Sequence, residues 1–228
     1  MDSIVNIIGI LYGLVLILVY FVRIRVLESM RVDALFMPQA TENSRPVNLV
    51  VGIARWAAGL VKDGDTILLD ASTTVFCMVP FLAERRNLVV LTNGMETGRQ
   101  LAGTLTNSVI LMAGILSPDG ASVIGPLYEP ALRRHPIKTA FVSCQGFSMA
   151  AGLTETDTHE AAMKNRMVSL ADSTVALIDS SKFGQVLPAP FARANQVAHI
   201  FSDSGLAPDW AAQVQEASIV LTLCQSSN

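Results

Sequence analysis

Short apolar runs alternate with segments of helical spacing along most of the chain. The runs lie at residues 67–69, 88–91, 109–112, 139–143, 175–178, 197–201 and 219–223, and small or polar residues follow most of them. Strands that are buried on both faces carry such runs. Helical segments are predicted between them at 50–61, 96–102, 125–134, 156–170 and 208–216. The alternation predicts an α/β fold: a Rossmann-like, mainly parallel sheet with helices on both faces.

The stretch 67–74 organises this pattern. Its apolar run ends at Asp70, and Ser72, Thr73 and Thr74 precede the apolar start of a helix that Pro80 should end or kink. Such a loop can hold a phosphate, because the first N–H groups of a helix lack intrahelical partners. Asp70 would accept from a sugar hydroxyl or brace the loop. Alternatively, a serine or threonine at this position only caps the helix. These residues alone leave both the phosphate site and the helix cap open.

Polar residues follow several other strands of the predicted sheet. They are Thr92 and Asn93, Gly114, and the segment from Asp179 to Lys182. Ligands of open parallel sheets bind at the carboxyl ends of the strands, where these residues converge. Lys182 would supply the cation that a phosphate needs, or it is an exposed turn lysine.

The N-terminal segment has a different character. Residues from Ile4 to Val22 are almost wholly apolar, and a helix of that length spans about 28 Å, close to the hydrocarbon core of a bilayer. Arg23 and Arg25 follow directly, which predicts that the bulk of the chain lies on the cytoplasmic side. A buried core helix, or a segment joined by fusion or fragmentation, are the alternatives.

The predicted organisation therefore has three parts. Residues 1–32 form an apolar, transmembrane helix with a basic flank. Residues 33–46 carry two prolines and a polar cluster, which is typical of a linker. Residues 47–228 form the α/β domain, a cytoplasmic domain that the helix would anchor to the inner face of the membrane.

The composition and charge of the chain exclude several classes of protein. Of 228 residues, 51% are hydrophobic and 15% are charged, which excludes a disordered chain. The net charge of −3 gives no general footprint for nucleic acid. Three scattered cysteines and three histidines form no metal-ligand spacing or disulfide framework, so no metal or cofactor is expected.

Six short motifs occur in the order seen in a known family. They are Leu69–Thr74, Thr92-Asn93, Gly125-Pro126, Gly152-Leu153-Thr154, Glu160-Ala161-Ala162-Met163-Lys164 and Asp179–Gly184. The chain from about residue 50 to 220 resembles the effector-binding domain of DeoR/GlpR-type transcriptional regulators. The resemblance implies a fold shared with ribose-5-phosphate isomerase and CoA transferases, a phosphorylated sugar effector and a homo-oligomer.

The resemblance also implies a set of ligand-binding residues. It places the 70–74 loop at the phosphate, with two polar residues beside it and Lys182 reaching the ligand. Glu160 and Lys164 match the family's helix motif, although residues four apart on a helix are also compatible with an exposed surface pair. The predicted ligand-binding residues are Asp70, Ser72, Thr73, Thr74, Thr92, Asn93, Gly114, Gly152, Glu160, Lys164 and Lys182.

The chain departs from the family pattern in three places. The family's usual paired glycine after the third strand is Ala113-Gly114 here. Nothing before residue 47 resembles the winged helix-turn-helix with which the family begins, so DNA could be read only through a domain not evident in this chain. The family often has Asp-Gly after the fourth strand, where this chain has Gln145-Gly146.

Two functions fit this sequence best. The first is a non-enzymatic sugar-phosphate sensor without catalytic residues. The second is a sugar-phosphate isomerase of the same fold, which needs a carboxylate base near the phosphate. Gln145 cannot be that base, and Asp70 and Asp179 have no obvious acid partner, so the sensor is favoured. A third hypothesis is a truncated chain that assembles with full-length regulators.

Overall fold

The computed structural model describes residues 47–102, 106–124 and 136–225. Its helices are α1 (Val47–Ala58), α2 (Thr73–Phe76), α3 (Val79–Leu82), α4 (Met95–Leu101), α5 (Thr158–Leu170) and α6 (Pro208–Glu216). Its strands are β1 (Thr66–Leu69), β2 (Val89–Thr92), β3 (Ser108–Leu111), β4 (Ile115–Leu116), β5 (Val123–Ile124), β6 (Ile137–Val142), β7 (Gly146–Ser148), β8 (Gly152–Glu155), β9 (Ala171–Leu177), β10 (Ala189–Ala192), β11 (His199–Asp203) and β12 (Val220–Cys224).

Seven strands form one sheet in the order β12-β11-β9-β6-β1-β2-β3. Every neighbouring pair in this sheet is parallel. The α/β architecture and the parallel sheet predicted from the apolar runs are therefore confirmed. The sequence pattern did not predict the antiparallel sheet β10-β8-β7 or the hairpin β4-β5, because their strands are short and carry no long apolar run.

Two details of the predicted elements were wrong. The strand predicted at 175–178 begins four residues earlier, at Ala171. Its first half pairs with β6, but it is polar and therefore lacks the apolar run on which the prediction depended. The predicted single helix after the loop is two four-residue helices, and the break at Cys77 and Met78 precedes Pro80. Pro80 lies in the first turn of α3, where its missing N–H costs nothing.

The core packs helix α5 against the centre of the sheet. Met163 and Met167 on α5 are buried against Leu68 of β1, Leu91 of β2 and Ala140 of β6. Three consecutive residues of β1, from Ile67 to Leu69, are buried, so both faces of the central strand are covered. Met163 and Met167 are four residues apart, so they lie on the same face of α5.

The strand order creates a crevice beside β1. The chain runs from β1 to β2 and β3 on one side, and it later places β6 on the other side of β1. The segments that follow β1 and β6 therefore lead away from each other. The position between these two strands is a topological switch point, where open α/β sheets bind ligands in a crevice. Asp70 follows β1 at this point, and Ser143 follows β6.

Several predictions lie outside the described residues. They are the apolar helix at 1–32 with its proposed membrane anchor, the linker at 33–46 and the helix at 125–134, and all of them stay predictions from the sequence. Within the ranges 47–102, 106–124 and 136–225, no helix is long and apolar enough to cross a membrane.

Gly152 marks the closest approach between two strands of the small sheet. Its φ is +73°, and a Cβ there would stand 2.0 Å from the carbonyl oxygen of Ala192. We expect Gly152→Ala to lower the free energy of unfolding by about 2–4 kcal/mol, from backbone strain and overpacking together. Urea denaturation of the full chain measures this loss.

Gly64 provides a matched control for that substitution. Its φ is +81°, but a Cβ there would have no atom within 4 Å. Gly64→Ala should therefore cost only the conformational term of about 1 kcal/mol. Equal losses for the two variants would contradict the close approach at Gly152.

Candidate functional site

The Asp70 carboxylate, fully buried, ties together the two segments that border the crevice. Its Oδ1 accepts from the N–H of Ser72 at 3.0 Å and from the Ser72 hydroxyl. Its Oδ2 accepts from the N–H of Ser143 at 2.8 Å and lies 3.2 Å from the Lys164 ammonium. Both oxygens are engaged by the protein, which favours bracing of the loop over contact with a sugar hydroxyl.

Lys164 lies at the centre of a buried ion-pair cluster with Asp70 and Glu155. Its Nζ donates to Glu155 Oε1 at 2.5 Å and to the carbonyl oxygen of Ser143 at 2.9 Å. Lys164 and Glu155 are each only 5% exposed. A lysine at that depth needs such partners, because an unpaired buried charge is very costly.

The cluster changes the pKa values of Lys164 and Glu155. Burial alone would lower the pKa of Lys164, but Asp70 and Glu155 outweigh burial and raise it above its ordinary value. Burial raises the pKa of Glu155, and the nearby Lys164 opposes that rise only in part. The ammonium is therefore firmly protonated at neutral pH.

The interpretation of Glu160 and Lys164 as an exposed surface pair is wrong. Lys164 is directed into the domain, where its ion pairs are with Asp70 and Glu155. Glu160 is half-buried and accepts from the hydroxyl of Ser122. The two residues do lie on one helix, as the spacing predicts. Because this face of α5 is buried, however, each side chain pairs with a residue outside the helix.

The loop after β1 combines a helix cap with one exposed threonine. Ser72 caps α2, and its Oγ accepts from the N–H of Val75 at 3.3 Å. Thr73 is exposed, whereas Thr74 is buried. Helix α2 has only four residues, so it sums few peptide dipoles, and a ligand would depend mainly on hydroxyl groups and side-chain charge.

Thr92 and Asn93 lie beside this loop, as the parallel register predicts. Thr92 pairs with Leu69 in the sheet, and its Oγ1 accepts from the N–H of Gly94 at 3.0 Å. Asn93 Nδ2 donates to the carbonyl oxygen of Val123 at 3.1 Å. Its Oδ1 is buried and has no hydrogen-bond partner among the described residues, so one acceptor stays unsatisfied beside the loop.

Lys182 reaches the same crevice from the other side of β6. It lies in the short 3₁₀ turn Ser180–Lys182, which follows β9. Its Nζ is 3.4 Å from Ser143 Oγ and 3.5 Å from Asp179 Oδ2. The side chain is 20% exposed, so Lys182 is a partly buried cation at the mouth of the crevice and not a freely exposed turn lysine.

The two predicted glycines each have a packing role. A Cβ on Gly114 would stand 2.4 Å from the carbonyl oxygen of Ile124, so the β4-β5 hairpin requires glycine there. Gly152 has the equivalent role against β10. Their proposed contact with a ligand stays a prediction.

Glu155 and Ser143 are the members of the cluster that the sequence analysis missed. Lys164 was compared with Glu160 by helical spacing, whereas its partner ends the preceding strand, β8. The available signal was an acidic residue directly after the glycine motif Gly152-Leu153-Thr154. Gln145 is exposed and accepts from the Thr156 hydroxyl at 2.8 Å.

Removing the central cation should destabilise the domain strongly. In Lys164→Met, the carboxylates of Asp70 and Glu155 stay buried without a counter-charge, and we expect a loss of about 3–5 kcal/mol in the free energy of unfolding. The double variant Lys164→Met/Glu155→Gln should lose less, because one uncompensated charge is removed. Urea denaturation at neutral pH measures both losses.

Lys138 is a matched control at the opposite end of the strands. It forms an ion pair with Asp65 at 2.6 Å, and its side chain is 50% exposed. Lys138→Met should cost less than about 1 kcal/mol. If Lys164→Met costs no more than Lys138→Met, the cluster does not stabilise the fold.

Comparison with known proteins identifies the domain. Residues 51–204 match the family model of the DeoR C-terminal sensor domain. The chain is 35% identical over 170 residues to YulB of Bacillus subtilis, an uncharacterized HTH-type transcriptional regulator, and 29% identical over 173 residues to the HTH-type transcriptional regulator GolR of Listeria innocua. These matches cover 75% and 76% of this chain, and 66% and 68% of the relatives, so the chain spans about two thirds of their length.

Solved structures show a weaker similarity. Ribose 5-phosphate isomerase A of Methanocaldococcus jannaschii aligns with 60% of this chain and 54% of its own, at 17% identity and a TM-score of 0.44. The probable sor operon regulator of Shigella flexneri aligns with 63% of this chain and 78% of its own, at 14% identity and a TM-score of 0.39. Such scores support no inference about ligand or activity. The family match and the sequence relatives show that the chain belongs to the DeoR family of transcriptional regulators and carries its C-terminal sensor domain.

Proposed function

We propose that this domain is a non-enzymatic sensor that binds a phosphorylated sugar in the crevice at the carboxyl ends of β1, β2, β6 and β9. The proposal rests on Ser143, which contacts Lys164, Lys182 and Asp70. Asp70 also fixes the 70–74 loop. Ser143 directly follows β6, at the switch point of the sheet. A charged ligand is therefore expected where the sheet topology favours binding.

The phosphate is assigned to the Lys182 side of the crevice. Lys182 is a partly buried ammonium, and the Thr73 hydroxyl is exposed on the neighbouring loop. Charge-assisted hydrogen bonds from such groups are stronger than neutral ones. Asp70 holds the N–H groups of Ser72 and Ser143 in place, so the loop does not have to be ordered at the moment of binding.

A sensor is supported over an isomerase by the state of the nearby carboxylates. An isomerase needs a carboxylate that is free to take a proton from carbon. Asp70 accepts two N–H hydrogen bonds and faces Lys164, and Glu155 is ion-paired to the same lysine at 2.5 Å. The relatives are named as transcriptional regulators, which agrees with binding without turnover.

The wider role of the protein follows from its family. We infer that effector binding changes the affinity of a regulator for DNA, with DNA contacted outside the sensor domain. A homo-oligomeric assembly and a cytoplasmic location belong to the same proposal. Anchoring through residues 4–22 rests on the sequence pattern alone.

A thermal-shift screen of the full chain against pentose and hexose monophosphates tests the sensor. A ligand that binds only the folded state adds about 2.7 kcal/mol of stability at a hundredfold excess over Kd. We expect one sugar phosphate to raise the melting temperature of the wild type. Lys182→Ala should lose most of that rise, because the phosphate loses its cation.

Lys138→Ala is the matched control, since this lysine lies at the opposite end of the sheet. Its ligand-induced rise should equal that of the wild type. Incubation of the stabilising compound with the protein, followed by analysis for the isomeric sugar phosphate, separates sensor from enzyme. Absence of any stabilising sugar phosphate would refute the sensor, and accumulation of an isomer would establish the isomerase.

A further inference from the structure

Glu155 is the one carboxylate of the buried cluster with an oxygen still available. Its Oε1 pairs with Lys164, while its Oε2 makes no hydrogen bond to the described residues. Asp70, in contrast, uses both oxygens for contacts with the loop, with Ser143 and with Lys164. An ionised carboxylate has room for about four hydrogen bonds, so Glu155 retains unused acceptor capacity.

Glu155 and Lys182 lie at the two ends of one chain of contacts. Ser143 contacts the Lys182 ammonium through its hydroxyl and the Lys164 ammonium through its carbonyl oxygen, and Lys164 then contacts Glu155. The charge of Lys182 acts on Glu155 across this arrangement. The two ends of this chain of contacts therefore carry opposite charges, the Lys182 ammonium on one side and the Glu155 carboxylate on the other.

This polarity sets the chemistry that each side accepts. A carboxylate accepts hydrogen bonds and donates none, so it suits the hydroxyl groups of a sugar. It repels a phosphate, which is directed towards Lys182. A sugar phosphate has one anionic end and several hydroxyl donors, which matches the two sides.

We propose that Glu155, held in place by Lys164, accepts hydrogen bonds from the sugar hydroxyls and determines which phosphorylated sugar the domain selects. The proposal rests on the proposed function and adds the group that recognises the uncharged part of the effector. Specificity of this kind is strong, because a ligand that lacks the hydroxyl leaves the Oε2 atom of a buried carboxylate without a hydrogen-bond partner.

Isothermal titration calorimetry on the full chain tests the proposal with two probes. One is inorganic phosphate, and the other is the pentose or hexose phosphate that stabilises the wild type most. Glu155→Gln should weaken binding of the sugar phosphate about tenfold or more, because a charge-assisted hydrogen bond is lost. Its affinity for inorganic phosphate should stay within about twofold of the wild type or rise, because a negative charge near the anion is removed.

Two further variants separate recognition from folding. Glu96→Gln neutralises a glutamate of α4 that pairs with Arg99 on the surface, and it should leave both affinities unchanged. Glu155→Asp keeps the charge opposite Lys164 while moving the carboxylate, and it should weaken the sugar phosphate selectively. This variant carries the test if Glu155→Gln fails to fold, as judged by circular dichroism and thermal unfolding.

The outcomes distinguish the proposal from the function on which it rests. Equal effects on both probes, or unchanged sugar-phosphate affinity in folded Glu155 variants, would overturn the role of Glu155 and leave the sensor standing. Tighter wild-type binding of inorganic phosphate than of every sugar phosphate would also overturn it. If neither probe binds the wild type, the sensor itself fails, and the specificity role fails with it.

Discussion

A single buried ammonium holds the centre of this domain together. Lys164 faces the carboxylates of Asp70 and Glu155 and the carbonyl oxygen of Ser143, and these groups are almost completely removed from water. Replacing a buried ion pair with apolar residues is often neutral for stability, so the cluster is weak evidence for stabilisation alone. Its value lies in geometry: helix α5, strand β8, and the segments after β1 and β6 meet at one charge.

The organisation of the crevice depends on this meeting point. Asp70 can hold the N–H groups of Ser72 and Ser143 only because Lys164 balances its charge. The 70–74 loop is thereby attached to the end of β6, across the point where the strand order reverses. Ligand contacts at such a point are made by a scaffold that is fixed before binding, and pre-organisation of this kind improves affinity.

The sequence predicts the sheet far better than the cluster. Buried parallel strands must be apolar on both faces, so runs such as 67–69 and 88–91 are visible without knowledge of their neighbours. The short strands β7, β8 and β10 lack this signal, since they carry Gly, Pro, Thr and Glu beside apolar residues. Missing β8 meant missing Glu155, and Lys164 was then compared with a glutamate on its own helix. Spacing along one helix says nothing about which strand that helix packs against.

The distribution of the cluster along the chain has a consequence for folding. Asp70 directly follows the first strand of the sheet, while Lys164 arrives with α5, after β6, β7 and β8. Contacts between residues so distant in sequence form slowly, because closing a long loop costs entropy before the contact repays it. During synthesis, the Asp70 carboxylate must therefore stay hydrated until helix α5 has left the ribosome. The 70–74 loop can therefore take its anchored form only after α5 has packed against the sheet.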